Sequence, residues 1–251
     1  MTAYRDARGD VAILVPAAGL GVRMGGGTPK ALRTLCDEPL LVHAIRNVTA
    51  APSVGIVVIA APPDDVERVR AMVTPSPVRT LVVPGGATRQ ASVAAALSAV
   101  PAEFDLVLVH DAARALAPPA LVEAVAARLR AGAEAVVPAM PVADTVKRVG
   151  DQDEVVATVD RSVLRAIQTP QGFRRATLTA AHAGAVDDHT DDAGLAEHLG
   201  VRVDTVPGDD LAFKITRPFD LVIAEALLAS AAITERSRSI GSTEDATTGE
   251  R

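Results

Sequence analysis

Strand-length apolar runs alternate along the chain with segments whose apolar positions recur at helical spacing. The pattern predicts strands over Val11–Val15, Val54–Ala60, Val78–Val83, Leu106–Val109, Ala135–Val137 and Val201–Val206. Between and after them it predicts helices over Ala31–Thr49, Asp64–Val73, Arg89–Val100, Leu121–Ala131, Arg174–Ala183, Ala193–Leu199 and Pro218–Ala232. The strand segments are continuous in Val, Ile and Leu, the mark of strands buried on both faces of a helix-covered parallel sheet. The expected fold is therefore an open, doubly wound, mostly parallel α/β sheet. Ligands in such folds bind beyond the carboxyl ends of the strands, so the loops there carry the search for chemistry.

The rhythm breaks after Pro141. Val142–Val149 and Val155–Val159 are β-prone and flank Gly150-Asp151-Gln152-Asp153, a turn composition. They predict an inserted hairpin, an arm over about 141–160. From Thr234 onward the residues are mostly polar and predict a disordered tail over 234–251, after one domain over 1–233.

Composition narrows the function. Hydrophobic residues make up 49% of the 251 and charged residues 22%, enough apolar surface for a core. Aromatic residues are 2% and the net charge is −6, which argues against base-stacking platforms and a phosphate-backbone footprint, hence against nucleic acid as a partner. Cys36 is the only cysteine, which excludes an internal disulfide and points to a reducing, cytoplasmic setting. No apolar run reaches the roughly 18 residues that a membrane helix requires.

The loop after the first strand runs from Pro16 to Lys30 and is rich in Gly and Ala. Small residues there let backbone N–H groups approach a phosphate, while Arg23 and Lys30 add charge suited to a triphosphate. The loop is neither a Walker loop nor GxGxxG. The other reading is a surface loop with solvated charges.

Six ordered motifs then carry a resemblance. They are Pro16–Met24 with Pro29-Lys30, Gly85–Val93, His110–Arg114, Pro141–Lys147 with Thr169-Pro170-Gln171, Thr190–Ala193, and Phe213–Thr216. Over about Val11 to Leu228 the chain resembles the 2-C-methyl-D-erythritol 4-phosphate cytidylyltransferase family of Rossmann-like nucleotidyltransferases, enzymes of non-mevalonate isoprenoid biosynthesis. The resemblance implies that Ala17, Ala18, Gly19, Arg23 and Lys30 hold the CTP triphosphate and that Gly86 and Ser92 face cytosine and ribose. It places Asp111 and Arg114 near the substrate phosphate and the metal-bound nucleotide. Thr145, Thr190 and Lys214 become contacts to methylerythritol phosphate, with Arg23, Lys30 and Lys214 around the reacting phosphorus. Arg161 would reach the substrate phosphate of a partner subunit, making the protein a homodimer through its arm. Mg²⁺ is expected on the CTP phosphates and not on a dedicated protein site. The chain departs from the family at Val22, where a second basic residue is common, and at Ala212-Phe213, where Asn and an aliphatic residue are more usual.

A ribitol 5-phosphate cytidylyltransferase and a non-catalytic nucleotide-binding relative are the alternatives. Plain structural readings go with several other residues. Thr190 or Asp191 is expected to cap a helix, His110 to make a structural hydrogen bond, and Cys36 to be a small buried hydrophobe. The Arg128/Arg130 and Arg174/Arg175 pairs read as solvated helix faces.

Overall fold

The computed structural model describes residues 9–19, 29–74, 76–185 and 190–230. The first strand, β1 (Val11–Pro16), has Val11 to Val15 wholly buried. Removing such a side chain from water contributes roughly 1.5–3 kcal/mol, which is why a short apolar run suffices to fix a central strand. β1 lies between β4 (Val54–Ala61) and β6 (Leu106–Val109), parallel to both, and β5 (Arg79–Pro84) extends the sheet beyond β4. On the other side of β6 come β11 (Gln171–Arg174), then β7 (Ala135–Pro141), then β12 (Val203–Pro207). β11 runs against its neighbours, and β10 (Arg165–Ile167) pairs antiparallel with the next stretch of β7. The remaining pairings among these strands are parallel, as expected.

Alternate residues of β1 face opposite layers. Ile13 and Val15 pack with α1 (Leu40–Thr49), α2 (Val66–Val73) and α4 (Pro119–Arg130). Ala12 and Leu14 pack with α3 (Arg89–Ser98), α5 (Arg175–Ala183) and α6 (Asp192–His198). A further helix, α7 (218–230), lays Leu221, Ala224 and Leu228 on Leu35, Leu40 and Ile215.

Four expectations change. The helix over 31–49 begins only at Leu40: a 3₁₀ turn (Lys30–Leu32) and a tiny hairpin of β2 (Thr34–Leu35) and β3 (Glu38–Pro39) precede it. Cys36 and Asp37 form that hairpin's tip with φ of 48° and 63°, so Cys36 is exposed and not a buried hydrophobe. Both central φ values are positive, as a tight two-residue turn between twisted strands requires. β10 and β11 stand where the apolar pattern predicts loop and helix start, because only Ile167 and Phe173 among them are large and apolar. Arg174 and Arg175 are tied down, donating to the carbonyls of Leu129, Pro101 and Val100.

The arm is present as β8 (Val146–Val149) paired with β9 (Val155–Val159), a two-stranded sheet separate from the main one. At its tip the Gly150 N–H donates to the Glu154 carbonyl, and Asp153 takes a φ of 59°. The expected tail over 234–251 lies outside the described residues.

Candidate active site

Three strand ends converge on one cavity of about 420 Å³. β1 delivers Ala17, Ala18 and Gly19, β5 leads into Gly86–Arg89, and β6 leads to Asp111, Ala112 and Ala113. Lys30 and Lys214 complete the wall. The described ends of the first loop meet, for the Lys30 N–H donates to the Gly19 carbonyl at 3.4 Å. Close packing of the loops needs glycine. A Cβ on Gly85 would stand 2.6 Å from the Ala18 Cβ, and one on Gly86 would stand 2.4 Å from the Ala91 Cβ. Ser92 is buried, accepts the Gly86 N–H at 3.2 Å and donates to the Thr88 carbonyl at 2.9 Å, so it holds the loop after β5 in shape. Thr88 caps α3 by accepting the Ala91 N–H, placing that helix's positive end at the cavity.

Asp111 is the electrostatic centre. One carboxylate oxygen takes the Lys214 ammonium at 2.6 Å, and the other lies 3.3 Å from both Nε and Nη2 of Arg89. Burial alone would push this carboxyl up; Arg89 and Lys214, with Arg114 behind, outweigh burial and hold it well below the usual carboxylate range. Its backbone N–H donates to the Thr169 hydroxyl at 3.0 Å, and that hydroxyl lies 3.2 Å from His110 Nδ1. Complete burial pulls the His110 imidazole down to about 4, so it is neutral at pH 7. His110 is thus a buried structural group beneath Asp111, as expected. Lys214 is set by its neighbours: the Ile215 N–H donates to the Ala113 carbonyl at 2.8 Å, and Ile215 is buried.

The structure therefore brings together Ala17, Ala18, Gly19, Lys30, Gly86, Ser92, Asp111 and Lys214. Arg23 lies outside the described residues. Arg114, Thr145, Arg161 and Thr190 do not line the cavity within this chain. Arg114 donates to the carbonyls of Ala212 and Ile167, clamping the turn before Lys214 to β10. Thr190 is exposed and precedes Asp191, which caps α6 by accepting the Gly194 N–H. Thr145 and Arg161 are exposed at the root of the arm, where Arg161 donates to the Ala143 carbonyl. The residue sequence reasoning missed is Arg89. Its signal was position, since a cation in the first turn of a helix opposes the dipole and calls for nearby carboxylates.

A mostly parallel sheet whose strand ends cradle a glycine-lined cavity, with Arg89 and Lys214 around one carboxylate and Lys30 also in the wall, defines a nucleotide-binding α/β protein of the nucleotidyltransferase kind. Residues 11–230 match the IspD family model, 2-C-methyl-D-erythritol 4-phosphate cytidylyltransferase, and the chain belongs to that family. It is a cytidylyltransferase. It is 54% identical over 228 residues to 2-C-methyl-D-erythritol 4-phosphate cytidylyltransferase of Streptomyces coelicolor, covering 87% of this chain and 84% of the relative. The Thermus thermophilus structure of that name superposes with a TM-score of 0.69 at 39% identity, covering 86% of this chain and 98% of that one. The 4-diphosphocytidyl-2C-methyl-D-erythritol synthase of Anaerococcus prevotii gives a TM-score of 0.76 at 26% identity over 87% and 98%.

Proposed function

We propose that this chain transfers CMP from CTP to 2-C-methyl-D-erythritol 4-phosphate, releasing pyrophosphate and forming 4-diphosphocytidyl-2-C-methyl-D-erythritol. The observation that carries the reading is the Lys214–Asp111–Arg89 cluster, which lines one glycine-walled cavity together with Lys30. The substrate's phosphate oxygen attacks the α-phosphorus in line and pyrophosphate leaves; neither a covalent protein intermediate nor a general base is needed, because the attacking phosphate is already ionised near pH 7. The protein's task is to hold two polyanions collinear and to stabilise the charge that spreads over the equatorial oxygens. Lys30 and Lys214, with Arg23, supply that charge, while Ala17–Gly19 offer backbone to the triphosphate and Gly86 and Ser92 border the base. Arg114, Thr145, Thr190 and Asp111 complete the polyol phosphate side.

Among the described residues no cluster of three or more His, Cys, Asp or Glu is arranged to hold a metal, and Asp111 is the one carboxylate lining the cavity. That donor set fits Mg²⁺ carried mainly by the nucleotide phosphates, with Asp111 the residue able to face it; its chemistry would be to neutralise phosphate oxygens. The arm supports a homodimer, since Val149, Val155 and Val156 are over half exposed on a two-stranded sheet and such a hairpin is marginal alone. In that dimer Arg161 of the partner subunit would meet the substrate phosphate. No helix among the described residues is long and apolar enough to cross a membrane, and the lone, exposed Cys36 suits a reducing cytoplasm.

The test is a substrate panel: protein, Mg²⁺ and CTP, ATP or GTP with methylerythritol phosphate or ribitol 5-phosphate, read by pyrophosphate release. CTP with methylerythritol phosphate should be fastest. Ribitol 5-phosphate is not favoured, because relatives near half identity are named for methylerythritol phosphate; equal or better turnover with it would reverse that choice.

A further inference from the structure

Asp192 is a carboxylate at 1% exposure that no step above uses. It does not cap its own helix, because Asp191 does that. One of its oxygens instead takes Arg89 Nη1 at 2.6 Å, and the other lies 3.0 Å from Nε2 of His182, a residue of α5. Arg89 then turns its remaining edge, Nε and Nη2, to one oxygen of Asp111, whose second oxygen holds Lys214. A chain of alternating charge thus runs from the α5–α6 pair through the start of α3 to the cavity wall. Burying a carboxylate this deeply is costly, and a buried pair is weak evidence for stability as such. Arg89 also sits in the first turn of α3, where the helix dipole disfavours a cation, so it needs the two carboxylates to stay.

We propose that Asp192 is a positioning residue for the transfer reaction: it anchors Arg89, which fixes the orientation of Asp111 and through it the reach of Lys214. Arg89 lines the cavity yet has both its edges engaged, so its part is to aim Asp111 and not to hold substrate. The proposal rests on the cytidylyl transfer read above. Without the carboxylate at 192, Arg89 keeps its charge but loses its anchor, and the cavity becomes more positive. Ground-state binding of CTP should then hold or improve while the chemical step suffers.

Asp192→Asn should lower kcat about 10- to 100-fold, the scale expected for a small misplacement of reacting groups, with KM and calorimetric Kd for CTP unchanged or lower. Asp192→Glu, which keeps the charge, should recover most of that kcat. In an Arg89→Ala background, Asp192→Asn should change kcat less than about 2-fold, because the route through Arg89 is already cut. Additive losses, a raised KM at unchanged kcat, or Glu no better than Asn would each overturn the proposal. Thermal unfolding is recorded for every variant; a lowered Tm with unchanged kcat would show a merely structural role and also overturn it. Should Asp192→Asn not fold, Arg89→Lys carries the test: it keeps the charge but loses the planar fork that spans Asp192 and Asp111, so kcat should fall at unchanged KM, and a parent-like kcat would refute the proposal. The parent in the same assay separates the two readings: an inactive parent refutes both, an active parent with additive variants refutes only this one.

Discussion

In the cavity, Asp111 is buried and each of its oxygens faces a cation of the same chain, whereas on the arm Val155 is 62% exposed and Arg161, among the described residues, donates to a backbone carbonyl alone. Among the described residues, the Asp111 cluster is finished within one chain. Its groups are set by packed neighbours such as Ile215, Thr169 and Ser92, so its geometry exists before substrate arrives. The second region has a fixed hairpin register, but among the described residues nothing covers Val149, Val155 and Val156. The difference separates what the monomer preorganises from what a partner subunit would complete.

The largest effect belongs to the finished region. Lys30 opens a 3₁₀ turn whose packing is done by Ala31 and Leu32, both nearly fully buried. Lys30→Ala should therefore leave Tm close to the parent's while cutting kcat by about 10²–10³, the typical loss for one preorganised charge stabiliser. Steady-state kinetics beside a thermal melt decides it; near-parent turnover would remove Lys30 from the reaction.

The finished region was also the more legible in sequence. Val11–Val15 and Val54–Ala60 read best as buried strands, and their ends pointed to the loops now seen around the cavity. The hairpin was equally plain from two β-prone runs about a Gly-Asp turn. β10 and β11 were not, because a strand held mainly by backbone pairing to β6 and β7 needs little apolar sequence of its own. The hairpin at Cys36-Asp37 was hidden because neither residue is a glycine, although both take positive φ. Residue roles depended on the family resemblance: composition placed Lys30 and Asp111 on loops, but nothing in spacing joined Arg89 to Asp192, which is 103 positions away.

Acid should act on the finished region through His110. The folded imidazole titrates at about 4 against an ordinary value of 6.5, so between those values the unfolded chain carries a proton the folded chain does not. Stability is then complete above about 6.5 and falls as pH drops towards 4, by up to about 3 kcal/mol. Asp111 acts lower: its depressed folded value means its contribution is lost only as pH falls below about 3.8. Urea unfolding midpoints across pH 7 to 4 should show the His110 slope, and His110→Asn should flatten it whatever its absolute stability. A variant with the parent's slope would show that His110 is not buried neutral.

Arg161→Ala probes the region that needs a partner. It should leave thermal stability unchanged and slow turnover about 10- to 100-fold, the scale of one lost charge-assisted hydrogen bond of about 1.5–3 kcal/mol, with CTP binding intact. Mixing it with Lys30→Ala sharpens the point. If arms cross, a mixed dimer has one site damaged twice and one intact, so activity rises above both parents after subunit exchange. If exchange is proven and activity does not rise, Arg161 serves its own chain.

The smallest expected effect comes from one chemical change made in both regions. Val109 ends β6 at 0% exposure, two residues before Asp111, and Val155 opens β9 at 62%. Val→Thr keeps the β-branched shape that strands favour and adds one hydroxyl, so the two sites differ only in what surrounds that hydroxyl. At Val109 the group is buried, and leaving it unpaired should cost about 1–3 kcal/mol. At Val155 water can satisfy it, and at protein concentrations where the chain is monomeric the change should stay within about 0.5 kcal/mol. Raising the concentration turns this null result into a measurement. If a second subunit covers the arm, the Val155 hydroxyl is desolvated on association and sedimentation should show the dimer dissociating more readily than the parent's, by up to about 10-fold for 1.4 kcal/mol. An unchanged dissociation constant would mean that no partner buries Val155, and the contrast between a finished cavity and an arm awaiting its surface would fail at that residue.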